Sequence, residues 1–331
     1  MPTSKIEEQL QALSTLLRDK SFALEMAQNQ EAAYYAALNQ AIPPFSEKGN
    51  DKRYTEYLLK EEKIATSIAA FYALESGIGQ LISTKGGTPF EWLKKITEQK
   101  PGAADVLLLN CFANAAWKAG QPFRSLDRIT GHNFIAACFL SEEEIQKDVD
   151  QVYAAAVMLK KQMQDVGDSS VEVQLQKIGT LLQSETFAFD MAQHLEAAYY
   201  KGIHEPAHDF LKPGEATAMI RRPVGAEKIA VNIAGFYALE CGLSYLASSR
   251  DMLPSDVLRS VTDDSIPEKD KELLERFANL TWKAGQPFRG LSRIARPTFT
   301  AFDLLPQDEK NKDWIQIKAA ARKLREKLDR Y

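Results

Sequence analysis

The chain has 331 residues, 45% of them hydrophobic and 26% charged, the balance of a folded globular protein whose length points to two domains. Forty-five acids against 41 bases leave a formal net charge of -4, and no run of Lys or Arg is long enough to track a phosphate backbone, which argues against nucleic acid as a partner. Three cysteines, Cys111, Cys138 and Cys241, lack any Cys-x-x-Cys spacing, which argues against a disulfide framework or a structural zinc site.

The N-terminal stretch MPTSKIEEQLQALSTLL reads as the start of an amphipathic helix and lacks the apolar centre of a signal peptide. FALEMAQ at Phe22 to Gln28 and EAAYY at Glu31 to Tyr35 continue in helix-compatible sequence. Tyr34 and Tyr35 are adjacent, so on a helix one faces the core while the other looks elsewhere. A connector, Ala41 to Leu59, precedes Ile64, Ile68, Phe71, Glu75 and Ile78, whose spacings trace one face of a single helix. Leu108, Leu109, Phe112, Ala113 and Ala116 form a second stripe, and it runs into WKAGQPFR at Trp117 to Arg124. Ser141, three residues before Glu144, reads as the N-cap of a third helix with a capping box. No alternating pattern long enough for a β-strand is found, and no uninterrupted apolar run is long enough to span a bilayer. The simplest expected location is cytoplasmic, with no membrane partner.

After a polar stretch at Gln164 to Ser170 the same order returns with a fixed offset of 165 residues. FAFDMAQ starts at Phe187, EAAYY at Glu196, EKIA at Glu227 (as at Glu62) and FYALE at Phe236 (as at Phe71). WKAGQPFR recurs unchanged at Trp282 to Arg289, and Lys147-Asp148 recurs as Lys312-Asp313. The connectors differ: Ala41 to Leu59 and Pro206 to Gly225 share little beyond Phe45/Phe210 and Gly49/Gly214. The expected fold is all-α, with two tandem homologous helical units, residues 1–165 and 166–331, packed as a pseudo-symmetric pair.

The octapeptide has a structural reading. Gly120 suits a helix C-cap with positive φ, Pro122 stops the helix, and Phe123 folds back on the last turn. Packing explains less of Lys118, Gln121 and Arg124, of Arg128 four residues on, or of their counterparts Lys283, Gln286, Arg289 and Arg293. These side chains are candidates to hold a carboxylate or phosphate, or to pair with acids of the same unit. Glu75 and Glu240 sit on the apolar stripes, where a carboxylate needs a cationic partner, with Arg124 or Arg128 the expected one. Together with Tyr34, Trp117, Tyr199 and Trp282, they make the candidate ligand set.

Other chemistry is thinly supported. His194, His204 and His208 cluster in the second unit as weak metal candidates, and Glu205 to His208 is the sole Glu-x-x-His, broken by Pro206. Neither a nucleophile elbow nor a P-loop occurs, and Gly77-Ile-Gly79 is no dinucleotide fingerprint. No cofactor is called for.

The last third of each unit resembles the repeat domain named after ryanodine receptors. Phe277-Ala-Asn-Leu-Thr-Trp282 matches its Trp-bearing helix. Phe299 to Pro306, followed by Gln307 to Asp313, matches its approach to an acidic last helix, with Ala136 to Leu140 in the corresponding place of the first unit. The family's His before the Trp is Asn114 or Asn279 here, and its Gly-Trp-x-Tyr-Gly loop is missing. The resemblance implies a helical ligand- or protein-binding module. The leading expectation is therefore non-catalytic recognition of a small anionic ligand, nucleotide-like or a phosphorylated metabolite. One rival is a structural or protein-interaction module with no small ligand, and the other is an enzyme using Glu75 or Glu240 as acid or base.

Overall fold

The computed structural model describes residues 4–41, 53–99, 101–206 and 208–328; Phe45 and Gly49 lie outside them. Helix α1 (Lys5–Leu17) starts where the Ser4 hydroxyl accepts the Glu7 amide, and α2 (Lys20–Ala37) where the Asp19 carboxylate accepts the Ser21 and Phe22 amides. Such caps satisfy amides that no helical carbonyl can reach. The long apolar stripe through Ile64 and Ile78 is divided at Ile68 into α3 (Leu59–Ser67) and α4 (Ala69–Lys85). Every residue of the stripe is buried nonetheless. A reciprocal capping box between Thr88 and Glu91 opens α5 (Pro89–Lys94), and α6 (Ala103–Arg124) follows. Ser141 caps α7 (Glu142–Gln162) as its sequence predicts, but the Glu144 side chain turns to Lys147 and does not close a capping box.

A 3-10 turn at Gln164–Val166 leads to α8 (Val171–Leu182) and α9 (Glu185–Gly202). They are followed by α10 (Val224–Asn232), α11 (Ala234–Arg250), α12 (Pro254–Thr262), α13 (Glu268–Gly285) and α14 (Gln307–Leu328). The fold is mostly helical, as expected. The stretch Val224–Arg250 is apolar and long enough to cross a membrane, but most of it lies inside the protein. There, near its centre, Glu240 is fully buried.

The connectors hold what the sequence reading missed. Each ends in a short strand, β1 (Tyr54–Leu58) and β2 (Met219–Pro223), and the two pair antiparallel. Five residues with little alternation carry no signal of their own; the partner strand supplies the reason to extend. The middle rung joins Glu56 to Arg221, its own counterpart at the 165-residue offset.

Helices α4, α6, α11 and α13 form the centre of one continuous hydrophobic core. Helix α2 packs mainly on α10 and α14, while α9 packs on α3 and α7. N-terminal and C-terminal halves therefore interleave. The aromatic contacts follow the same rule: Phe22 meets Phe236 and Phe187 meets Phe71; Tyr72 meets Phe299 and Phe134 meets Tyr237. Each contact has its mate at the same offset. Phe112 stacks on Phe277 with centroids 4.1 Å apart, and Phe123 on Phe288 at 5.3 Å, so two phenylalanines touch their own counterparts.

The reading of the octapeptide as a helix terminator holds in the second half, where α13 ends at Gly285, and is corrected in the first. Gly120 does not terminate a helix; α6 runs through it and through Pro122 to Arg124. A Cβ on Gly120 would come within 2.9 Å of the Phe288 ring, and one on Gly285 within 3.0 Å of Phe123. Both glycines are there because the opposite ring lies against the backbone.

Candidate functional site

The octapeptide's first polar residue is drawn inward. Lys283 Nζ lies 2.8 Å from Glu75 Oε2, and Glu75 Oε1 accepts the Phe302 amide at 3.0 Å. Reciprocally, Lys118 pairs with Glu240, whose Oε1 accepts the Ala137 amide and the Ser244 hydroxyl, each at 2.9 Å. All four charged groups are buried. The expected partners of the glutamates, Arg124 and Arg128, are displaced by lysines from the opposite half. The physical reason is the crossing of α4 with α13 and α11 with α6, which brings each glutamate under the other copy of the motif. Each enclosed carboxylate is saturated by a lysine and by hydrogen-bond donors, so removing either partner strands a buried charge.

The octapeptide's outer residues face another way. A cavity of about 620 Å³ lies between α2, β1, α10, α13 and α14, the size of a small-molecule site. Tyr34, Tyr35 and Trp282 are its aromatic lining residues, and Gln286, Arg289, Arg293 and Arg296 line it too. Five of the fourteen candidate ligand residues are thus brought together: Tyr34, Trp282, Gln286, Arg289 and Arg293. Tyr34 and Tyr35 both reach the cavity, their rings edge-to-face at 5.7 Å.

Of the 166 position pairs at the 165-residue offset, 65 are identical, yet 17 of the 24 residues lining the cavity recur unchanged. Several are polar side chains in reach of solvent, where packing constrains identity least. Asp313 was not singled out as a site residue, although it recurs as Asp148; that matched Lys-Asp pair was the signal. Asp313 keeps part of its surface open while protein surrounds it. Burial pushes its carboxyl up to about 8, against the opposing influence of the Asn279 amide and the Lys283 ammonium. Asp148 is pushed to about 7, again chiefly by burial.

Ion pairing inside the cavity is uneven. Lys228 lies 3.1 Å from Glu31, Arg289 3.2 Å from Glu227, and Lys312 2.5 Å from Glu309. Arg293 bonds only a carbonyl, that of Arg289, and Arg296 has no carboxylate partner among the described residues. Burial and then the fields of Arg289 and Arg296 hold the Arg293 guanidinium below its usual proton affinity, while Glu227 and Tyr57 oppose them. Burial and like charge thus act together on Arg293, and Glu227 offsets them only in part.

The matching residues of the other half keep some neighbours and change others. Trp117 packs on Phe134 just as Trp282 packs on Phe299, whereas Gln121 accepts from Arg128 Nε at 2.7 Å. Arg124 is held below its usual proton affinity by burial and then by Arg128, with Glu62 opposing. Tyr199 is exposed, and Tyr200 meets His208. Lys63, counterpart of Lys228, turns to Glu215 at 2.6 Å and to the Phe210 carbonyl. The connector before β2 therefore supplies partners here.

His194 Nε2 lies 3.1 Å from the Ala154 carbonyl and His208 packs on Tyr200, so these two weak metal candidates are engaged separately. Among the described residues no group of three or more His, Cys, Asp or Glu side chains could hold a metal ion. No family model, curated protein or solved structure matches the chain.

Proposed function

We propose that the chain consists of two homologous helical units, 1–165 and 166–331, and that the cavity between α2 and α14 binds a small anionic molecule without transforming it. One observation carries this reading: a cavity whose lining recurs far above the chain's average presents two arginines, Arg293 and Arg296, that pair with no carboxylate among the described residues. Guanidinium forks in a cavity with aromatic lining suit a phosphate or carboxylate carried on a flat or aliphatic body. The resemblance of each unit's last third to the ryanodine-receptor repeat domain points the same way, towards a helical binding module. Glu75 and Glu240 have no part in this reading, because each is saturated by a lysine and a backbone amide away from the cavity.

A thermal-shift series with simple phosphate monoesters tests it, since a ligand bound only by the folded state raises Tm by mass action. The expected result is a concentration-dependent rise that shrinks with added salt and is lost in Arg293→Ala. A flat response to phosphate and carboxylate ligands alike overturns the reading and leaves a protein-interaction module.

A further inference from the structure

The same cavity has one charge missing of the opposite sign. Its acids Glu31, Glu227 and Glu309 each have a cation, Lys228, Arg289 and Lys312 respectively. Among the described residues Asp313 has none: its one side-chain hydrogen-bond partner there is the neutral Asn279 amide, with Nδ2 3.2 Å from Oδ2. The ammonium that acts on it, Lys283, is committed to Glu75 at 2.8 Å. Facing it from α13 are Glu275, as well as Lys283, and from α14 Glu309, already engaged with Lys312. A carboxyl in such a place, open to the cavity but lacking a counter-charge, is an empty seat for a cation. Tyr34, Tyr35 and Trp282 line the same cavity, and aromatic faces attract ammonium groups.

Resting on the anion-binding reading above, we infer that the ligand is a small zwitterion, a phosphate or carboxylate held by Arg293 and Arg296 and joined to an ammonium group received by Asp313 and the aromatic lining residues. Two unpaired guanidiniums and one unpaired carboxyl are the complement of such a molecule. A purely anionic ligand would satisfy the arginines and leave Asp313 protonated and idle. Binding an ammonium ionises Asp313, so at neutral pH the proton it carried leaves to solvent.

Two probes that differ by one group test this. O-phosphoethanolamine carries both charges; ethyl phosphate lacks the ammonium. Titration calorimetry on the full chain at pH 7, in buffers of different ionisation enthalpy, is expected to show O-phosphoethanolamine binding about tenfold tighter or better. About one proton should be released with it, and with ethyl phosphate only the small fraction that the ligand's own phosphate still carries, its second ionisation lying at about 6. In Asp313→Asn the affinity ratio should fall towards one; because the proton count is read on the unaltered protein, a poorly folding variant leaves the test intact. Equal affinities, or a preference that survives Asp313→Asn with no proton released, overturn the zwitterion while anion binding stands. Silence from both probes overturns the anion reading as well.

Discussion

One octapeptide serves two regions that follow opposite rules. At the centre, Lys118 and Lys283 are enclosed, and each meets a glutamate from the opposite half, with that glutamate's remaining lone pairs taken by backbone and hydroxyl donors. At the edge, Arg289 and Arg293 line a cavity where positive charge is left over. The core lysine is fixed by what the fold provides; of the cavity arginines, Arg289 has Glu227 at 3.2 Å, while Arg293 has no carboxylate partner among the described residues. Identity between the two copies of the motif thus has two causes, four residues or more apart.

The comparison breaks most visibly at the centre. Lys283→Met leaves the Glu75 carboxylate buried without a cation, and should cost about 3–5 kcal/mol in denaturant unfolding. Adding Glu75→Leu should recover most of that loss, because an apolar pair of similar volume leaves no stranded charge. If the single variant is nearly neutral, the pair does not hold the halves together.

Gly120→Ala tests the stacked rings next to that pair. A Cβ at 2.9 Å from the Phe288 ring forces one stacked ring away from the other, at a cost of about 1–3 kcal/mol. Gly285→Ala should cost a similar amount, since its Cβ would meet Phe123 at 3.0 Å. A helix C-cap at Gly120 would predict no such match between the two variants.

The raised carboxyls give a smaller, pH-dependent effect. Burial pushes the Asp313 carboxyl up to about 8 and that of Asp148 up to about 7, both far above an unfolded aspartate. A folded value above the unfolded one means the fold holds a proton that the unfolded chain releases. The contribution of these groups is complete below about pH 4 and is lost as pH rises towards 7 and 8. Unfolding measured across that range should show stability declining, and Asp313→Asn should flatten the upper part of the decline. A stability curve indifferent to that variant would place an ionised carboxylate in the cavity.

Much of this organisation was legible in the residues. The apolar stripes through Phe71 and Phe112 fix helices because a 3.6-residue period has one structural meaning, and the 165-residue offset predicts the reciprocal contacts. The break at Ile68 was hidden, since the stripe keeps its phase across the join. The partner of Glu75 was hidden too: periodicity says that the carboxylate is buried, not which helix crosses over it. Strands β1 and β2 exist only through each other, so neither connector announces one. Asp313 was visible as half of a recurring Lys-Asp pair, but nothing in sequence says that its neighbours' cations are already taken.

The smallest effect on stability belongs to the residue whose loss should matter most for binding. Arg293 has no carboxylate partner and makes a long contact of 3.4 Å to the Arg289 carbonyl, while its charged neighbours Arg289 and Arg296 repel it. Arg293→Ala should therefore change unfolding free energy by no more than about 0.5 kcal/mol, and relief of repulsion could even make the fold slightly firmer. Lys283 gives the opposite profile, a large loss of stability at a position that touches no ligand. If Arg293→Ala instead unfolds the protein as Lys283→Met does, then Arg293 is as structural as Lys283, and the cavity is a by-product of how the halves interleave. If stability holds while phosphate-ester binding disappears, the same motif both clasps the halves and binds the ligand.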